Sequence, residues 1–150
     1  MTYTSTKTFK SFPCTHRQPD HKGHCKYIHG YDRDFIFHFK CSELEPKTNF
    51  VVEFGGPAMK ELKAWLEYMF DHTFLCNEND PELELFKELE KKGLIQLRVM
   101  PNVCMESTSK FVFDKVNELL DKYENGRAWC YKVEVRENFK NSGTYKKDRS

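Results

Sequence analysis

Apolar positions in this chain recur at two spacings, and the switches between them mark its elements. Residues 5 to 16 alternate loosely, with Thr and Phe on neighbouring positions, which predicts a first strand ending near His16. Residues 17 to 28, with Pro19, Asp20 and Gly23, read as a loop. In YDRDFIFHFK, from Tyr31 to Lys40, Phe35, Phe37 and Phe39 share one face, which predicts a second strand paired with the first. A connection this long exceeds a plain hairpin, and long loops in compact folds tend to carry function. After a turn at Glu45 to Thr48 and the short apolar run NFVVEF, Pro57 suits the first turn of a helix. Met59, Leu62, Leu66, Met69 and Phe70 then recur at helical spacing through residue 70, and the helix delivers Asp71 and His72 just past its end.

Residues 81 to 92 predict a shorter helix stopped by Gly93, and LIQLRVM a short strand broken by Pro101. A third helix is expected over 107 to 123, with Phe111, Val112, Val116, Leu119, Leu120 and Tyr123 as its buried stripe. Ser107 or Thr108 would cap it, and Gly126 would stop it. The last strand, AWCYKVEVRENF, places Trp129, Tyr131, Val133, Val135 and Glu137 on one parity, so a carboxylate falls in line with an apolar face. Residues from about 140 to 150 are polar and basic and are expected to form a flexible tail. The order of elements predicts one α+β domain spanning residues 1–150, an antiparallel sheet with helices on one face. The uncovered face and the sheet edges would need protection, which oligomer formation commonly supplies.

Composition narrows the function classes. A net charge of +1 argues against a nucleic-acid binder. The basic residues gather toward the two ends and the acidic ones in the middle, so ends packed side by side would suit a phosphorylated small molecule. No apolar run approaches the length of a membrane span, and MTYTSTKTFKSF lacks a signal peptide's apolar core, so the expected compartment is the cytoplasm. The six cysteines are scattered, which predicts reduced thiols, with Cys41, Cys76, Cys104 and Cys130 as packing residues.

The chemistry concentrates between Cys14 and Tyr31, where CTHRQPDHKGHCKYIHGY holds four of the six histidines and two of the six cysteines. Neutral imidazoles bind zinc at neutral pH, and a thiolate is a strong nucleophile or base. The stretch reads as a metal site with a reactive cysteine beside it.

The arrangement as a whole resembles the 6-pyruvoyl-tetrahydropterin synthase family. The resemblance is carried by His16-Arg17 at the end of a strand, Cys25 followed by His29-Gly30, Asp71-His72 after the first long helix, Glu106 with Thr108-Ser109 opening the last helix, and Glu137 in VEVRE. The gap between Cys25 and His29 is most similar to the bacterial branch, 6-carboxy-tetrahydropterin synthase of the queuosine pathway. The resemblance implies the tunnelling fold, in which subunit sheets close into a barrel and active sites lie at subunit interfaces. It further implies a hexamer of two stacked trimers, a zinc ion in each site, and 7,8-dihydroneopterin triphosphate as substrate. His16 and His29 would bind the metal and Cys25 would be the proton-transfer base, assisted by Asp71 and His72. Glu137 would anchor the pterin, with Glu106 and Thr108 as further pterin contacts. The expected reaction eliminates triphosphate and, in the carboxy-forming branch, releases acetaldehyde. The alternatives are the pyruvoyl-forming activity and a non-catalytic pterin- or metal-binding oligomer.

One departure stands out. The family's metal motif is His-Gly-His, and this chain has His29-Gly30-Tyr31. Alternate strand residues point the same way, so two histidines there would grip one ion, and Tyr31 takes the place of the third ligand. Tyr31 could coordinate as a phenolate, or His24 or His21 could come in from the loop, His24 being the first choice. His38 lies at an odd interval from His29 and so belongs to the opposite side of the strand.

Overall fold

The computed structural model describes residues 1–149. Six strands form one sheet in the order β4-β3-β1-β2-β5-β6. These are β1 (Tyr3–His16), β2 (His29–Cys41), β3 (Thr73–Asn77), β4 (Leu97–Met100), β5 (Ala128–Arg136) and β6 (Ser142–Lys146). The helices are α1 (Pro57–Phe70), α2 (Leu83–Lys91) and α3 (Met105–Glu124), and a single 3-10 turn spans His24–Lys26. The α+β class holds. The sheet is mixed, because β1 pairs with β3, and β3 with β4, in parallel. A helix lies between each of these parallel partners in sequence, as a crossover requires.

Most of the apolar stripes predicted for α1 and α3 meet the sheet, but Tyr123, expected in the buried stripe of α3, is 36% exposed in its last turn. Met59, Leu62, Leu66 and Phe70 of α1 and Val112, Val116, Leu119 and Leu120 of α3 enclose a core with Phe35, Phe37 and Phe39 of β2. Phe35 and Phe70 meet with ring centroids 4.7 Å apart, within the range in which aromatic pairs add to simple burial. The one-face expectation fails for α2. Leu75 of β3 joins the main core, whereas its neighbours Phe74 and Cys76 point the other way and pack with Phe86 of α2 and Leu97. A strand buried on both faces reads as a continuous apolar run, which is why β3 escapes an alternation test.

Two β-bulges decide which side chains face the core. In β1, Phe9 pairs with Phe35 and Phe12 with Arg33, so β1 spends an extra residue against β2. Ser11 takes it up at φ 68°, with its N–H donating to Asp34 Oδ1 at 2.9 Å. Without this bulge Phe9 and His16 would lie on opposite faces; with it, Phe9, Phe12, Cys14 and His16 are all buried. In β5 the register shifts between Phe39, opposite Cys130, and His38, opposite Lys132, so Tyr131 is the extra residue. The buried residues accordingly change from Ala128 and Cys130 to Val133 and Val135. Trp129 and Tyr131 are thereby removed from the face that Val133 and Val135 occupy, contrary to the single parity expected of this strand.

Helix α3 begins earlier than expected. Its N-cap is Cys104, whose Sγ accepts from Ser107 N–H at 3.4 Å, and Asn125 in the left-handed region with Gly126 ends it. Of the tail expected to be flexible, Ser142–Lys146 instead forms β6, paired with β5 from Lys132↔Lys146 to Arg136↔Ser142, and residue 150 lies outside the described residues. Gly143 is required there, since a Cβ would fall 2.6 Å from both Met105 C and Glu106 N at the start of α3. No described helix is long and apolar enough to cross a membrane, and all six cysteines are free.

Candidate functional site

His16 and His29 are register partners at the open end of the β1–β2 pair, which sets their rings side by side with centroids 4.5 Å apart. Both lie in line with the buried face of their strands, His16 through the bulge and His29 through the same parity as Arg33 and Phe35. Glu137 follows β5 in step with Val133 and Val135, and its N–H donates to Asn141 O at 3.0 Å across the β5–β6 hairpin. Its Oε1 lies 3.8 Å from His16 Nε2 and 3.9 Å from His29 Nε2. These distances are too long for hydrogen bonds and leave room between the three atoms. The three groups each offer a ligand atom within 4.8 Å of the others, the one such His/Cys/Asp/Glu grouping among the described residues.

The donor set can be tested against a metal by asking where each second ring nitrogen goes. His29 Nδ1 lies 2.7 Å from the carbonyl oxygen of Tyr27, an acceptor, so it carries the hydrogen and Nε2 keeps a free lone pair toward the cluster. Glu137 supplies a carboxylate oxygen. His16 aims Nε2 at the same point, but its Nδ1 faces Arg33 Nη2 at 3.0 Å. Arg33 is 1% exposed, and it also approaches Thr108 Oγ1 and the Val103 carbonyl at 3.4 Å each. Burial, followed by the nearby Arg33 and His29, pushes the His16 imidazole down to about 3, so it is neutral at physiological pH. Residue types and spacing fit a metal ion, and the second nitrogen of His29 suits one, whereas that of His16 faces a donor.

Beside this corner lies a cavity of about 230 Å³ lined by His16, Cys25, Glu106 and Glu137, with Gln18 and Asn141. Cys25 sits exposed in the 3-10 turn. The loop before it is tied back, with Gln18 N–H donating to Cys25 O at 2.7 Å. Gln18 also bridges Asn102 and Asn77 at 2.9 and 3.0 Å, and Asn77 accepts from Val103 N–H. Arg17 grips the buried Asp80 through two bonds of 2.9 and 2.8 Å, and this holds the carboxyl below its usual range.

A sequence model of the family described as 6-pyruvoyl tetrahydropterin synthase matches residues 5–148. The chain belongs to that family. It is 27% identical over 73 residues to a 6-carboxy-5,6,7,8-tetrahydropterin synthase of Rickettsia conorii, a match covering 48% of this chain and 51% of the relative, about half of each. Among solved structures it is similar in fold to an uncharacterized protein of Wolinella succinogenes, with a TM-score of 0.82 at 17% identity over 99% of both chains. The 6-pyruvoyl tetrahydropterin synthase of Caenorhabditis elegans superposes with a TM-score of 0.67 at 20% identity, covering 99% of this chain and 97% of that one.

Within the family pattern, the structure brings His16, His29, Cys25, Glu106 and Glu137 to one corner. His24, the first choice for the third ligand, is exposed in the 3-10 turn and outside the metal-ligand grouping, where Glu137 stands instead. Thr108 is fully buried, its hydroxyl donating to Val103 O at 3.3 Å and facing Arg33, so it supports the corner from behind. Asp71 and His72 bond each other at 2.7 Å, but His72 lines a different cavity of about 570 Å³ with Pro13, Tyr31, Asp32 and Phe74. Tyr31, in the place of the family's third histidine, belongs to that second cavity too. Arg33 was missed from the sequence. Its signal was there in the parity, which puts a cation on the face carrying Phe35, Phe37 and Phe39.

Proposed function

We propose that this chain is a zinc-dependent pterin lyase of the cytoplasm that converts 7,8-dihydroneopterin triphosphate to 6-carboxy-5,6,7,8-tetrahydropterin, releasing acetaldehyde and triphosphate. The convergence of His16, His29 and Glu137, two of which, His16 and Glu137, line one cavity with Cys25, carries this reading. Bound there, zinc would supply Lewis acidity toward the hydroxyls of the substrate side chain and the C–H bonds next to them. Cys25 Sγ moves the proton at those carbons. Glu137 has two oxygens, so facing the imidazoles with Oε1 leaves the carboxylate able to accept from the pterin's amino and amide N–H groups. Glu106, at the mouth of the same cavity, is a further polar contact for the ring.

His72, hydrogen-bonded to Asp71, lines another cavity of the same chain, so in this reading a second copy delivers the pair to Cys25, as a site between subunits of a hexamer would require. The carboxylate orients the imidazole, which relays the proton. Incubation with dihydroneopterin triphosphate should yield both acetaldehyde and triphosphate. Triphosphate alone would replace the reading with the pyruvoyl-forming activity, and neither product would overturn it in favour of a binding role. Cys25→Ala should lower turnover by about 1,000-fold or more while leaving the fold intact.

A further inference from the structure

The environment of His16 differs from that of His29 in a way that bears directly on the metal. A histidine that binds through Nε2 carries its hydrogen on Nδ1 and needs an acceptor there, which His29 has in the Tyr27 carbonyl at 2.7 Å. His16 has the reverse. Its Nδ1 lies 3.0 Å from Arg33 Nη2, and a guanidinium has five N–H donors and no acceptor. Nδ1 must therefore accept and carry no hydrogen, so the ring hydrogen sits on Nε2, which lies 3.8 Å from Glu137 Oε1. Arg33 has no room to withdraw, being 1% exposed and held among Thr108 and the Val103 carbonyl.

We propose that Arg33 fixes His16 as the Nε2–H tautomer and thereby sets the metal affinity of the His16–His29–Glu137 site below what these ligands would otherwise reach. A metal at Nε2 moves the hydrogen of His16 to Nδ1, where two N–H donors would face each other at 3.0 Å. The Arg33 cation adds repulsion toward a dication inside a poorly screened interior. The buried arginine is thus a positioning residue. It keeps the Nε2–H of His16 on the side of Glu137 in the metal-free protein and would make the site exchange a metal more readily than a pair of carbonyl-backed histidines. This inference rests on the metal reading of the site.

Two measurements test it on the whole protein. In the metal-free wild type, long-range proton–nitrogen NMR spectra of the histidine rings should show His16 with its hydrogen on Nε2 and His29 with its hydrogen on Nδ1. His16 found with its hydrogen on Nδ1 overturns the proposal without any variant. In chelator competition with zinc alone, Arg33→Met should bind about tenfold or more tighter than wild type, the lower end of what a changed partner behind a ligating histidine does. Arg33→Gln, whose side-chain carbonyl can accept from Nδ1–H, should also bind tighter. Removing a buried charge for an apolar residue of similar length is tolerated in many proteins, and thermal melts of both variants check that they fold. Equal or weaker zinc binding by the folded variants overturns the proposal. Tighter binding with no acetaldehyde or triphosphate from the zinc-loaded wild type leaves this inference standing and removes the lyase reading; weaker binding with both products does the opposite.

Discussion

The two histidine sites of this chain are built in opposite ways. His16 and His29 lie at the end of a six-stranded sheet, with His16 buried, its Nδ1 against Arg33, and Glu137 brought to its Nε2 by the neighbouring hairpin. His72 has a side chain 77% exposed, a backbone at φ 57°, and Asp71 as its side-chain hydrogen-bond partner. A left-handed backbone in a β-carbon residue is uncommon and is kept only where surrounding contacts hold it, here by His72 N–H donating to Pro13 O at 2.7 Å. The three potential ligand atoms of the first site all come from one chain. The second is pre-oriented and presented outward, the arrangement expected of a group that serves a neighbour.

Mixing variants is the most direct way to break that comparison. Cys25→Ala and His72→Ala should each be nearly inactive, down about 1,000-fold and 100-fold, the range for loss of a proton-transfer group. Dissociated and reassembled together, they should recover activity well above either parent, because some sites would pair an intact Cys25 with an intact His72 from another copy. No recovery would place both residues in one chain's site and end the contrast.

Metal analysis sharpens it further. His29→Ala should weaken zinc binding about 100-fold or more, as loss of a direct ligand does, and Glu137→Gln should weaken it clearly. His24→Ala and His72→Ala should bind as wild type does. An emptied site in His24→Ala would restore the loop histidine to the metal shell in place of Glu137.

The smallest expected effect concerns stability around the first site. Arg17, directly after His16, bonds the buried Asp80, which lowers that carboxyl from its ordinary 3.8. A depressed folded-state value stabilises the fold above the unfolded value, and that contribution is lost as pH falls through the folded one. Asp80→Asn should cost about 2 kcal/mol at neutral pH, as loss of a hydrogen bond to a charged group does, and the gap to wild type should close below pH ~4. Thermal melts across that range check this. A gap that persists at low pH would assign Asp80 a packing role alone.

Much of the fold was legible before any coordinates. The Phe35, Phe37, Phe39 alternation, the stripe of α1, that of α3 apart from Tyr123, and the boundaries at Pro57 and Gly126 lie where the pattern places them, because local geometry alone produces these periods. The missed strands had no such signal: Thr73–Asn77 is buried on both faces, and Ser142–Lys146 is polar and gains its order from pairing with β5. The cluster around His16, Cys25 and His29 was legible from residue types and spacing, and the family from the motifs that resemble it. Glu137 was found as a site residue, yet its position opposite both imidazoles was not, since it depends on β5 lying beside β2.

By itself, then, the sequence determined the elements with a strong period, the α+β class, the family, and the set of residues able to do chemistry. The tertiary structure decided how those residues are grouped. Two bulges, each taken up only where one strand meets another, set which parity faces the core, and so brought His16 onto the side of Glu137 and Arg33. The crossover through α1 carried His72, with Asp71 bonded to it, to a different cavity from Cys25. Side-chain periodicity is a property of one strand, whereas register, bulges and the partner of a buried arginine arise from pairing between segments far apart in the chain.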